Sequence, residues 1–115
     1  MSEQTLFSKI IDGEIPAEFV HRDDLCVAIR DIAPVAPVHI LIIPREPLPG
    51  IQAAGTSHGS LLGHLLLIGR HLAEAEGLTE GGFRLVINAG EDGGQTVPHL
   101  HVHLLGGRSL QWPPG

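Results

Sequence analysis

Residues 99–105 read His-Leu-His-Val-His-Leu-Leu, a strict alternation of imidazole and aliphatic side chains. Neighbouring side chains of an extended chain point to opposite faces, so His99, His101 and His103 share one surface at intervals of roughly 6.5–7 Å. Leu100, Val102 and Leu104 take the other. A core strand has no use for three polar rings on one side unless that face holds a ligand or a metal, because an unpaired buried imidazole costs free energy. If His39 joins them from a neighbouring strand, four close imidazoles cannot all be protonated. Like charges depress one another's pKa below the reference of ~6.5, and at least one ring is neutral near pH 7. A neutral imidazole nitrogen is a nucleophile toward phosphorus, while a neighbour that keeps a proton stabilises phosphate oxygens or protonates a leaving group. Three imidazoles also make catalytic zinc sites, and the spacing alone leaves that alternative open.

The residues just before the histidines favour an anion. Gly93 and Gly94 let backbone N–H groups approach closely, Gln95 adds an amide and Thr96 a hydroxyl, a combination that reads as a phosphate cradle beside a nucleophile. Neither Gly-x-x-x-x-Gly-Lys nor Gly-x-Gly-x-x-Gly occurs.

These groups need elements to hold them. Residues 5–12 place Leu6, Phe7 and Ile10 on one helical face, with Thr5 as N-cap and Gly13 beyond the end. Residues 18–21 and 26–31 flank the polar Arg22-Asp23-Asp24 and predict a β-hairpin. Residues 38–43 are almost continuously apolar and closed by Pro44, the pattern of a central strand covered on both faces, with His39 its one polar side chain. Residues 57–76 return to helical spacing through Leu61, Leu65, Ile68 and Leu72, and Leu62, Leu66 and Leu67 widen the stripe. Burial against the sheet on one side and a second subunit on the other would explain that width. Residues 83–88 predict a fourth strand, 89–95 a tight loop, and the histidine run a fifth strand. The tail from Gly106 is irregular, yet holds the single tryptophan, Trp112, which is expected to dock somewhere.

At 115 residues the chain is long enough for one domain with a real core. One cysteine, Cys26, excludes an internal disulfide framework, fits a reducing compartment and reads as a small core residue. Met-Ser-Glu-Gln-Thr does not resemble a secretory leader, and the longest apolar run is far short of the ~20 residues of a membrane span. These features predict a cytoplasmic protein without membrane association. A net charge of −6, with seven scattered Lys and Arg, argues against nucleic-acid binding.

His99-Leu100-His101-Val102-His103-Leu104-Leu105 matches the histidine triad signature, His-φ-His-φ-His-φ-φ with φ apolar. The likeness extends through Phe7-Ser8-Lys9-Ile10-Ile11, Glu14-Ile15-Pro16-Ala17, Asp31-Ile32-Ala33-Pro34, residues 37–44, Asn88, residues 92–97 and the ending Gly106-Gly107-Arg108 with Trp112-Pro113-Pro114-Gly115. The chain thus resembles the nucleotide-binding branch of the histidine triad family over nearly its whole length. The resemblance implies an α+β fold, a five-stranded antiparallel sheet with two helices, paired as a homodimer through the long helix and a strand edge into a ten-stranded sheet. It implies hydrolysis of purine nucleoside phosphoramidates and related acyl or aminoacyl adenylates, with no cofactor. His101 would be the nucleophile that forms a nucleotidyl-histidine intermediate and His103 would contact the α-phosphate. His99 and His39 would orient the site and assist proton movement. Asn88, Gly94, Gln95 and Thr96 align with phosphate contacts, Asp31 and Ile32 with the nucleoside pocket, the carboxylate holding ribose hydroxyls. Phe7, Ile10 and Ile15 would wall the base, and Trp112 would reach the partner's site.

Some bacterial relatives carry a Cys-x-x-Cys that binds structural zinc. Thr5 and Ser8 stand at those positions here, and hydroxyls are poor zinc ligands, so no metal is expected there. His103 stands where the uridylyltransferase branch has glutamine, which favours hydrolysis over transfer. Two other readings remain open: a nucleotide-binding interaction module without turnover, and a dinucleoside polyphosphate hydrolase. His58, His64 and His71 are expected to be surface or interface residues without chemistry.

Overall fold

The computed structural model describes residues 4–115; Met1–Glu3, part of the stretch compared with a leader, lie outside the described residues. Helix α1 (Leu6–Ile11) starts where expected, because the Thr5 hydroxyl accepts the Ser8 backbone N–H at 3.0 Å. Strands β1 (Phe19–Arg22) and β2 (Cys26–Arg30) form the expected hairpin. Strand β3 (Val38–Pro44) follows, then two 3-10 turns (Ile51–Ala53 and Thr56–His58) and the long helix α2 (Gly59–Ala75). Strands β4 (Phe83–Val86) and β5 (Val102–Gly106) complete one antiparallel sheet in the order β1-β2-β3-β5-β4.

The central strands are apolar on both faces because both are covered. Ala28, Ile40, Ile42, Val102 and Leu104 pack on one face with Leu65, Ile68 and Leu72 of α2. Val27, Ile29, Leu41 and Ile43 pack on the other with Phe7 and Ile10 of α1. A Cβ at Gly69 would lie 2.9 Å from a Leu85 methyl and 3.2 Å from the Ile42 Cδ, so glycine there lets α2 approach the sheet closely. Cys26 is a fully buried core residue, as expected. Among the described residues no helix is long and apolar enough to cross a membrane.

The second strand ends one residue early, at Arg30, and the last two are shorter still than predicted. The fifth begins at Val102, so only His103 of the three histidines lies within it. Pro44 has no N–H to continue the ladder, and the Leu100 N–H instead donates to the Leu48 carbonyl at 2.7 Å. Strand β4 ends at Val86, opposite His103, where its partner leaves the ladder one residue later. The alternation nevertheless persists through the irregular stretch: Leu100 packs with Val102 and Leu104 on the α2 side, and the histidines fall on the α1 side.

Candidate functional site

Strand register brings the histidines together. Leu41 of β3 lies opposite His103 and His39 opposite Leu105, so His39 and His103 are diagonal neighbours on one sheet face. Their rings meet at 2.9 Å, Nε2 of His39 to Nδ1 of His103. The His101 ring lies 4.9 Å from that of His103, centroid to centroid, and the Phe7 ring stands edge-on to it at 4.8 Å.

Hydrogen bonding assigns the protons. The Nδ1 of His101 lies 2.7 Å from the His99 carbonyl, which only accepts, so Nδ1 carries the proton and the neutral ring has its lone pair on Nε2. The Val35 N–H donates to Nδ1 of His39 at 3.2 Å, so the proton of neutral His39 sits on Nε2 and is donated to Nδ1 of His103. Neutral His103 then carries its proton on Nε2, a buried atom with no hydrogen-bond partner among the described residues. A buried donor left unsatisfied is costly, and its place beside His101 suits an incoming anion.

His99 has a different task. It is fully buried, Nε2 donating to the Pro44 carbonyl at 2.9 Å and Nδ1 bound to the Thr5 hydroxyl at 2.8 Å. Both ring nitrogens are thus hydrogen-bonded, and the His99 backbone carbonyl accepts from Nδ1 of His101.

Burial disfavours the charged form of all four rings and lowers the pKa of His39, His99 and His101. For His103 burial acts together with the neighbouring His101 and His39, and its pKa falls to about 4. Asp31 opposes the shift at His39, with Oδ2 3.5 Å from Nε2.

A cavity of about 230 Å³ opens over this group. Phe7, Ile10, Ile15, Ile29 and Leu41 supply apolar wall, and Asp31, Thr96, His101 and His103 are polar groups at its lining. Ile32 stands at its rim, 97% exposed. Expected lining residues thus converge at Phe7, Ile10, Ile15, Asp31, Ile32, Thr96, His101 and His103. Leu6, Pro16, Ala17, Ile29, Arg30, Leu41 and Val97 also line the cavity, and the sequence offers no specific signal for them as lining.

Asn88, Gly94 and Gln95 do not line it. The Gly94 and Gln95 N–H groups donate to the Glu91 and Gly90 carbonyls at 3.0 Å each, and the Gln95 side chain ties together Pro49, Val97 and Gly90. The expected cradle is therefore a self-bonded turn with Thr96 as its contribution to the cavity. A Cβ at Gly93 would fall 2.3 Å from the Ala89 carbonyl oxygen, so this turn requires glycine there. Trp112 is 80% exposed, so the expected docking does not occur on its own chain. Arg84 of β4 nevertheless fastens the tail, donating to the Leu110 and Gln111 carbonyls.

A single antiparallel sheet covered on both faces, with an imidazole cluster on one face and an apolar pocket beside it, defines an α+β scaffold with a polar cavity site. Residues 12–110 match the HIT domain model, and the chain belongs to the HIT domain family. It is 63% identical to a HIT-like protein of Synechococcus elongatus over the full length of both. It is 49% identical over 110 residues to the purine nucleoside phosphoramidase of Escherichia coli, covering 96% of this chain and 92% of that one. The crystal structure of a HIT family hydrolase from Legionella pneumophila superposes with a TM-score of 0.95 at 49% identity, over 97% of this chain and all of the other.

Proposed function

We propose that the chain hydrolyses purine nucleoside 5′-phosphoramidates, such as AMP joined to a lysine amine through a P–N bond, and related aminoacyl adenylates, through a nucleotidyl intermediate on His101. The observation that carries this reading is the pairing of two oriented rings, His101 with its lone pair on Nε2 and His103 with an unpartnered Nε2–H. The Nε2 of His101 attacks the α-phosphorus while the His103 Nε2–H donates to a phosphate oxygen. The P–N bond breaks and the amine leaves with a proton taken from solvent at the cavity mouth. Water then attacks phosphorus and gives up a proton to solvent, the P–Nε2 bond breaks, and the nucleoside monophosphate departs with neutral His101 restored. Phe7, Ile10, Ile15 and Ile32 hold the base and Asp31 the ribose hydroxyls. Thr96 meets the phosphate.

The working unit in this proposal is a cytoplasmic homodimer. Leu66 and Leu67 of α2 are 43% and 65% exposed, and β4 is a sheet edge bearing half-exposed Phe83. Joining two copies there would cover these side chains and extend the sheets into one of ten strands. The tail fastened to Arg84 leaves from that same edge, so Trp112 would enter the partner's site.

Turnover of an adenosine 5′-phosphoramidate tests the reading. His101→Ala is expected to lower kcat by about 10³-fold or more with AMP binding retained. Full activity in that variant removes His101 as nucleophile. AMP binding without turnover in the parent protein identifies a binding module instead, and faster cleavage of diadenosine polyphosphates identifies the other hydrolase class.

A further inference from the structure

On the side of the hairpin that meets α2, four side chains of metal-ligating type converge. The His21 Nε2 and the His64 Nε2 each lie 2.7 Å from the same oxygen, Oδ2 of Asp23, and the Cys26 Sγ lies 3.5 Å from it. The ligand atoms of His21, Asp23 and Cys26 all fall within 4.8 Å of one another. His64 reaches them from α2, 41 residues from Asp23 in sequence. None of these residues belongs to the cavity or to the histidine cluster described above.

We propose that His21, Asp23, Cys26 and His64 form a second site, a zinc-binding centre that fastens α2 to the β1–β2 hairpin. Two imidazoles, a carboxylate and a thiolate are the donor types zinc takes, and the thiolate favours it over magnesium or calcium. Ligand atoms around a tetrahedral zinc lie about 3.3–3.8 Å apart, as follows from bonds of about 2.0–2.3 Å. To admit the ion the His21 nitrogen retreats slightly from Oδ2, and the His64 side chain, which touches only Asp23 of the group, swings toward His21 and Cys26 to complete the set. The carboxylate is already aimed, because its other oxygen, Oδ1, accepts the Leu25 and Cys26 N–H groups at 2.7 and 2.8 Å and leaves Oδ2 toward the cluster. Access is open: the side chains of His21, Asp23 and His64 are 27%, 25% and 30% exposed, while Cys26 forms the buried floor.

Without metal the imidazoles and the thiol donate to Asp23, three donors on one oxygen. Zinc binding replaces those bonds with four coordinate bonds, each ring nitrogen offering its lone pair after its proton shifts to Nδ1, and the Cys26 proton passes to solvent. Because the thiol must lose its proton to bind, affinity rises with pH.

The test uses the full chain freed of metal, titrated with Co²⁺ as the spectroscopic probe and then with Zn²⁺ in competition. One equivalent is expected to bind with a thiolate-to-cobalt charge-transfer band, and Zn²⁺ is expected to raise the Tm. Cys26→Ser should abolish the band, and His21→Gln and His64→Gln should each weaken Zn²⁺ binding by about 100-fold or more. Phosphoramidate turnover in His21→Gln and His64→Gln should stay at the parent rate, and His103→Gln should leave the cobalt spectrum unchanged. Absence of the thiolate band in the parent protein, or zinc binding that follows His103 rather than His21 and His64, overturns the proposal. Circular dichroism of Cys26→Ser shows whether that variant is folded; if it is not, the His21 and His64 variants decide.

Discussion

The Thr5 hydroxyl and Nδ1 of His99 meet at 2.8 Å, joining the first turn of α1 to the residue whose carbonyl orients His101. Thr5 is also the helix N-cap, so one side chain serves both. Thr5→Val removes the cap, about 1 kcal/mol, and leaves a buried ring nitrogen unpaired, about 1–3 kcal/mol more. Urea denaturation is expected to show a loss of roughly 2–4 kcal/mol, with Thr5→Ser close to the parent protein.

His39 sets the tautomer of His103 without lining the cavity. In His39→Phe the donor to Nδ1 is gone, and His103 is free to place its proton on either nitrogen. Steady-state kinetics should show kcat lower by about 10²-fold with little change in KM, since the lost orientation acts on the reacting phosphate more than on base and ribose.

Acid should unfold the chain through its histidines before its carboxylates. His39, His99, His101 and His103 all bind protons more weakly folded than unfolded, so the unfolded chain takes up protons that the folded chain refuses. Their contribution is complete above the unfolded value of ~6.5 and is lost as pH falls; for His103 the loss runs down to about 4 and amounts to about 3 kcal/mol. Glu76, held low by Arg30, and Asp23, held low by hydrogen bonds that outweigh its burial, add their losses only below their ordinary values of 4.5 and 3.8. Denaturant midpoints measured at successive pH values should fall from ~6.5 downward, and kcat should stay flat through neutrality because His101 is already unprotonated there. A first loss only below the ordinary glutamate range would contradict this order.

Trp112 is the only tryptophan, so its fluorescence reports the tail alone. Addition of AMP is expected to shift its emission in the dimer. In Leu67→Glu, which puts a charge on the proposed contact face, sedimentation should show monomer and the shift should vanish. A parent protein that sediments as a monomer counts against the shared site.

Much of the architecture was legible because period and punctuation agree: Thr5 before an apolar helical face, Pro44 closing a β-branched run, glycines ending α2. The histidine alternation correctly separated two faces, yet it overstated the strand, since side chains continue to alternate in any extended backbone while the ladder needs N–H groups that Pro44 lacks. Gly94 and Gln95 read as anion donors because a glycine turn and a self-bonded glycine turn have the same letters; only coordinates show where the N–H groups go. His64 read as an inert helix residue because Asp23, which it meets, is separated from it by most of two strands and a long connection.

The sheet order places His39 on the middle strand and His103 on the strand beside it, two strands packed between layers on both faces. Such strands exchange their amide hydrogens only when the whole domain opens, unlike frayed ends and surface loops. The imidazole pair therefore shares the fate of the entire fold: heat or denaturant should silence the chemistry at the same midpoint at which the chain unfolds, with no inactive yet native-like state preceding it.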